Sequence, residues 1–251
     1  MNNINIEIEQ QLRNENVDII HFVDISMLDI KQNRGLSFAI LIGIAINPHF
    51  LEMVCNTPNY QHTLDDEYAQ TESRVGLIAD QLANHLISSG YKALSQSDNG
   101  LMAENAFDFE TKTSALPHKT IAVLSGIGYI GKSNLFITED FGSAQCLGSV
   151  LTNAPLTVTK NNVLQSKCNR CTICHHICPQ KALHGVSWNT NVSRDEIVDV
   201  YNCATCLKCL AYCPRSRAYM KRAIYPRNLA IHTTDSNFAA SNKSGDSTSE
   251  T

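Results

Sequence analysis

CNRCTICHHICP, residues 168–179, and CATCLKCLAYCP, residues 203–214, are one pattern written twice: cysteines separated by two, two and three residues, with proline after the last. These two runs hold eight of the ten cysteines in the 251-residue chain. A secreted disulfide framework would scatter its cysteines through a small domain, so crowding at metal-ligand spacing implies a reducing interior. Structural zinc is the plainer alternative. It takes four ligands per tetrahedron, usually as two C-x-x-C pairs, which would leave the third cysteine of each run surplus, twice over.

Three thiolates two residues apart can wrap three corners of an iron–sulfur cube if the loop turns its amides toward the anionic sulfur. The fourth corner must come from elsewhere. The spacing is that of bacterial two-cluster ferredoxins, in which the fourth cysteine serves the other cluster. Cys168, Cys171, Cys174 and Cys213 are therefore expected to hold one 4Fe-4S cubane, and Cys203, Cys206, Cys209 and Cys178 its neighbour. Proline after the last cysteine ends the loop and starts a helix, where its missing N–H costs little. Cys55 and Cys146 lie outside the pattern and read as small buried apolar residues. His175 and His176 sit between ligands, and with the thiol sites filled they read as hydrogen-bonding groups. Two clusters make a wire, and a wire needs a terminus. In a pure carrier the long segment before the cysteines would have no evident task, so the terminus is expected there.

That segment reads as an α+β domain over residues 1–158, followed by the cysteine module over 159–226 and a polar tail, 227–251, whose composition predicts disorder. VDIIHFV (17–23) and SFAILIGIAI (37–46) are rich in β-branched residues and read as strands. Leu64, Tyr68, Val75, Ile78, Leu82 and Leu86 recur at helical steps, with Thr63 at the expected N-cap and Gly90 as the stop. Residues 91–114 are ambiguous. Pro117 opens a short helix through HKTIAVLS, and 135–138 and 144–151 read as strands around a turn.

Composition limits the function classes. A net charge of −4 argues against a protein built chiefly to grip nucleic acid. Between Lys160 and Arg227, however, eleven basic residues face three acids. They either offset an anionic cofactor or form a docking face for an acidic partner or RNA. The opening residues lack the basic start and apolar run of a secretory signal, and the longest apolar stretch, Phe38 to Ile46, is far shorter than a membrane span. The expectation is a cytoplasmic protein without membrane attachment.

GIGYIGKSN, residues 126–134, fits both G-x-G-x-x-G and G-x-x-x-x-G-K-S. Either phosphate-binding loop must lead directly into a long helix. The following residues, NLFITEDFGS, read instead as a strand and a turn, so both nucleotide readings are set aside. Three glycines in six residues otherwise allow positive φ angles and close packing.

The string from LPHKTIAVLSGIGYIGKSN through FGSAQCLGSVLTNAPL, followed by the double cysteine run, resembles the epoxyqueuosine reductase family. Members carry a G-L/I-G-W-I-G-K-N segment, an apolar strand, an F/Y-G-S turn and a further strand leading into a two-cluster ferredoxin module. Gly126, Gly128, Ile130, Gly131, Lys132, Phe141, Gly142, Ser143, Leu147, Gly148, Leu151 and Thr152 match. The similarity is clear over about 117–215 and fainter upstream. The resemblance implies a nitroreductase-like N-terminal domain and an iron–sulfur oxidoreductase. Electrons from a low-potential donor, such as a ferredoxin or flavodoxin, would pass through the clusters to cobalamin or a small-molecule substrate. It places Gly126, Gly128, Tyr129, Gly131, Lys132 and Ser133 at the cofactor. Tyr129 stands where the family usually has tryptophan and Ser133 where it has asparagine, while Lys112 falls where the reductases carry a catalytic aspartate, with Asp108 and Glu110 nearby. No proton donor is identified. The chain ends soon after the clusters, without the family's helical-repeat extension, and a tRNA substrate is accordingly not expected. The alternative is a ferredoxin-like electron-transfer or reactivating partner with no catalysis of its own.

Overall fold

The computed structural model describes residues 3–160 and 162–226; the tail expected to be disordered lies outside them. In chain order the elements are α1 (Asn3–Asn14), β1 (Ile19–Asp24), α2 (Ile30–Asn33), β2 (Phe38–Ala45), α3 (Pro48–Asn56), α4 (Glu67–Ser88), β3 (Ala93–Ser95), α5 (Asp98–Ala103), β4 (Phe107–Asp108), β5 (Thr113–Ser114), α6 (His118–Ser125), β6 (Gly128–Ile130), β7 (Phe136–Thr138), β8 (Gln145–Thr152), α7 (Ile173–Ile177), α8 (Arg194–Ile197), α9 (Lys208–Ala211) and α10 (Pro214–Ile224). The mixture is α+β. No helix among the described residues is long and apolar enough to cross a membrane.

The organising sheet has the order β1-β2-β8-β3, with every neighbour antiparallel. Its middle strand β2 is buried on both faces, which is why FAILIGIA shows no polar alternation. Ile40, Ile42 and Ile44 point into a core shared with α1, α3 and α4, while Ala39 and Leu41 point into a second core closed by Ile121 and Ala122 of α6. The two faces follow from the two-residue period of a strand. Helix α4 thus lies on one side of the sheet and α6 on the other. Gly148 of β8, opposite Ile42, lets α4 come close: a Cβ there would sit 2.5 Å from Val75 Cγ1.

Helix α4 begins later than its apolar stripe suggests. Asp66, not Thr63, is its N-cap, and Leu64 lies outside the helix at 93% exposure. The carboxylate gathers Ala69 N–H (2.9 Å), Thr63 N–H (3.2 Å), the Tyr60 hydroxyl (2.5 Å) and His62 Nδ1 (2.7 Å). Burial works to raise its pKa, but these bonds outweigh it and hold the carboxyl below its ordinary value. A threonine hydroxyl could not accept so many donors.

The main core does not stop at residue 158. Leu207, Leu210, Ala211 and Met220 of the cysteine module belong to it. Helices α9 and α10 pack on α3, and Tyr212 and Tyr219 donate to the carbonyls of Cys55 (2.7 Å) and Ile46 (3.1 Å). Gly142, at φ +62°, brings the turn before β8 onto the first turn of α10, where the Ser143 amide donates to Ser216 Oγ at 3.0 Å. The ambiguous 91–114 stretch forms β3, α5, β4 and β5, of which the last three help rim the cavity described below.

Candidate iron–sulfur and cavity site

The two cysteine runs fold alike. In each, a short helix starts one residue before the third cysteine: Ile173 before Cys174 in α7, Lys208 before Cys209 in α9. Helices α7 and α9 pack on each other. Cys213 caps α10, with Pro214 as its first residue. The loops bend through left-handed residues, Asn169 at φ 42°, Thr205 at 47° and Leu207 at 56°. A β-branched residue such as Thr205 rarely adopts that conformation, and such strain clusters at functional sites.

The thiols influence one another in two sets. Cys174 is pushed up to about 11, first by burial, then by Cys168, Cys213 and Cys171. Cys209 is raised further, again by burial first, then by Cys203, Cys206, Cys174 and Cys178. Each set therefore contains its distant fourth cysteine, and the Cys174 influence on Cys209 puts the sets side by side. Thiolates gathered this closely repel one another unless cations lie among them, the condition a cluster satisfies. Among the described residues no three His, Cys, Asp or Glu side chains converge closely enough for a single metal ion. A cubane spreads its thiolates over separate corners. Three thiols at two-residue spacing with a distant fourth are a donor set that a 4Fe-4S cluster suits. His175 accordingly bonds to protein, its Nδ1 lying 2.5 Å from the Leu183 carbonyl, and Cys146 is buried in the main core with partly buried Cys55 packed against it.

GIGYIGKSN forms the tight β6–β7 hairpin and leads into a strand, as its sequence requires. Gly126 ends α6 in the left-handed conformation at φ 70°. The segment packs against the Cys168 loop: Tyr129 joins Ile137, Cys213 and Cys168 in a small apolar cluster, and a Cβ on Gly131 would lie 2.5 Å from Ile137 Cδ1 and 3.4 Å from Cys168 Sγ. Lys132, only 9% exposed, donates to the Asn169 carbonyl at 2.8 Å. Ser133 is buried beside it. The other side of the same segment is different. Ile130 and Asn134 line a cavity of about 820 Å³. One hairpin is the wall between the first cysteine set and the cavity.

The cavity lies between α4, the start of α5, residues 112–120 and the 188–194 region. Its wall carries charges of both signs. Burial takes His118 down to about 4, partly opposed by Asp98, so the ring is neutral, with Nδ1 2.8 Å from Ser149 Oγ. Lys119 is brought down to about 8 by burial and then by Arg194, and its Nζ donates to the Asn134 carbonyl at 3.0 Å. Glu72 is raised, first by the protein around it and then by Asp98. Gln96, also on the wall, keeps a buried amide oxygen without a partner, a demand that a ligand N–H would meet. Gly76 and Gly148 also border the cavity. The residues present therefore fit a corrinoid.

Lys112 also lines the cavity, its ammonium 5.0 Å from the Tyr201 ring centroid. Asp108 points away, capping its own turn through the amides of Glu110 and Thr111. Glu72, Asp98, Trp188 and Arg194 escaped the sequence reading because no local motif joins them; the sole tryptophan and a glycine in mid-helix at 76 were the available signals.

No protein-family model matches the chain. It is similar to curated epoxyqueuosine reductases. The protein from Lactococcus garvieae is 26% identical over 130 residues, covering 50% of this chain and 36% of that protein. The one from Bacillus cereus is 36% identical over 86 residues, covering 33% and 22%. The match thus spans about a third or less of these relatives. Among solved structures, an epoxyqueuosine reductase bound to an epoxyqueuosine-modified tRNA-Tyr stem loop superposes with TM-score 0.56 at 16% identity, over 86% of this chain and 66% of that one. A reductive dehalogenase described for B12-dependent dehalogenation gives 0.63 at 16% identity, over 91% and 36%. At such identities the superpositions show the fold.

Proposed function

We propose that this chain is an iron–sulfur oxidoreductase of the epoxyqueuosine reductase type, in which a nitroreductase-like domain, 1–158, holds the reaction chamber and a two-cluster ferredoxin-like module, 159–226, feeds it electrons. The observation that carries this reading is the shared hairpin wall, with Gly131 against Cys168 on one side and Ile130 and Asn134 on the cavity. A carrier would not need a chamber there.

Cys168, Cys171, Cys174 and Cys213 would hold one cluster, and Cys203, Cys206, Cys209 and Cys178 the other, supplying one-electron storage. Gln96, Gly76 and Gly148 would border a corrinoid, which when bound supplies a low-valent nucleophilic centre for a two-electron reduction. The hairpin, through Tyr129, Ile137 and Gly131, keeps water from the near cluster. Glu72, its pKa raised by burial and then by Asp98, keeps its proton to higher pH than an ordinary glutamate, and neutral His118, fixed by Ser149, can pass one at its other nitrogen. The fold shared with a tRNA-bound reductase brings tRNA back among candidate substrates, against the expectation drawn from chain length.

Anaerobic purification followed by iron, sulfide and corrinoid analysis tests the proposal. About eight irons per chain are expected, from two four-iron clusters, with added cobalamin retained in a base-off spectrum. Iron and sulfide without corrinoid uptake would leave a carrier, and a colourless zinc protein would overturn the scheme.

A further inference from the structure

The basic residues on the cavity wall are gathered together. Lys119 stands in the first turn of α6, Lys112 lies just before that helix, and Arg194 reaches over from α8 to donate to the Lys112 carbonyl at 2.9 Å. Arg194 pairs only with its own neighbour, Asp195, whose side chain is 70% exposed. Among the described residues neither lysine is within ion-pair distance of a carboxylate. Arg194 is the charge that bears on Lys119, whereas Asp98 bears on Glu72 and on His118. No side chain caps the first turn of α6 at Pro117, and Pro117, His118, Lys119 and Thr120 all border the cavity. Three cations and an uncapped helix start thus gather at one end of the space, Arg194 paired to exposed Asp195 and the cavity's own acids, Glu72 and Asp98, standing on α4 and α5. Apolar groups adjoin them, Trp188, Leu116 and Phe107 among them.

We infer that Lys119, Arg194 and Lys112 form an anion-binding subsite, taking the carboxylate or phosphate of an otherwise apolar small ligand of the cavity. The inference rests on the cavity being the reaction chamber and names the class of molecule it takes. Crowded cations gain most from an anion between them, because its charge relieves their mutual repulsion as well as attracting each.

The test is calorimetric titration of anaerobically prepared, cluster-loaded full chain with benzoate, neutral benzamide and inorganic phosphate, with Trp188 fluorescence as a second readout. Benzoate should bind at least about tenfold tighter than benzamide, and Lys119→Met or Arg194→Gln should abolish that preference. Lys119→Arg should retain it, which separates lost charge from lost folding. Equal binding of benzoate and benzamide, no binding of any probe, or an unchanged preference in Lys119→Met overturns the inference. If cobalamin displaces benzoate and Lys119→Met weakens cobalamin uptake, the anion is the cofactor's phosphate. If benzoate still binds beside retained cobalamin, the anion is the substrate's. A chain that prefers benzoate but takes up no corrinoid retains this subsite while removing the reductase reading.

Discussion

Replacing Gly142 by alanine should loosen the joint between the α+β domain and the cysteine module. The residue sits at φ +62°, and a Cβ there would overlap Ser216 N while lying 2.5 Å from Arg215 C and 2.7 Å from Ser216 Cα. These are backbone atoms of the first turn of α10, next to Cys213, and they cannot rotate aside. The left-handed conformation costs an alanine about 1 kcal/mol, and forcing an added carbon into packed backbone costs about 1–3 kcal/mol more. The sum, about 3 kcal/mol, corresponds to roughly 6–12 °C in the melting temperature of a chain this size. Gly90 is the internal control, since it has φ +87° but nothing within 4 Å of the added carbon. Gly90→Ala should lose only about 2–4 °C. Melting followed anaerobically by both circular dichroism and cluster absorbance gives both values, and the cluster signal of Gly142→Ala should fail no later than the helices. Equal shifts in the two variants would refute the backbone collision.

Cys213→Ser should remove about half the iron and leave the cluster of the second run, while Cys178→Ser should do the converse; iron analysis with electron paramagnetic resonance checks that each loss falls on the opposite run. Asp66→Ala should cost about 2 kcal/mol by stripping the α4 cap, and Asp66→Asn, which can still accept from Ala69, should cost less; chemical denaturation compares them. His118 is neutral in the fold, with a pKa near 4 against about 6.5 in the unfolded chain. Its contribution is complete above pH 6.5 and is lost as pH falls toward 4, amounting to no more than about 3 kcal/mol. Melting temperature against pH should therefore fall less steeply over that range in His118→Gln. Lys132→Met should leave the fold intact yet speed cluster loss in air, because it frees the Asn169 carbonyl beside Cys168; bleaching of the visible absorbance measures it.

The sequence showed the parts of this molecule whose signals are local. The cysteine spacing predicted the paired loops, the β-branched runs predicted β1 and β2, the readings over 135–138 and 144–151 met β7 and β8, and the strand and turn after Ser133 argued against a phosphate loop. Missing from it was whatever depends on distant segments meeting. Helix α1 buries Ile8 and Leu12 and is fixed by tertiary ties such as the paired bonds between Asn5 and Thr157. The cap of α4 moved from Thr63 to Asp66 because Tyr60 and His62 converge there, which spacing cannot reveal. The cavity is assembled from many separated stretches, so Lys112 and Lys119 could be noticed in sequence, but Glu72 and Arg194 could not be joined to them.

The wide separation of pairing partners in the central sheet also orders events during synthesis. Ile40 of β2 must wait for Val150 of β8, and Asn5 for Thr157. Until then an apolar edge stands open on the ribosome, a state prone to self-association. The cysteines emerge directly afterwards, so the scaffold closes just before its inorganic cargo can be delivered. A nascent chain stalled short of β8 should aggregate, and iron insertion should follow, not precede, completion of the sheet.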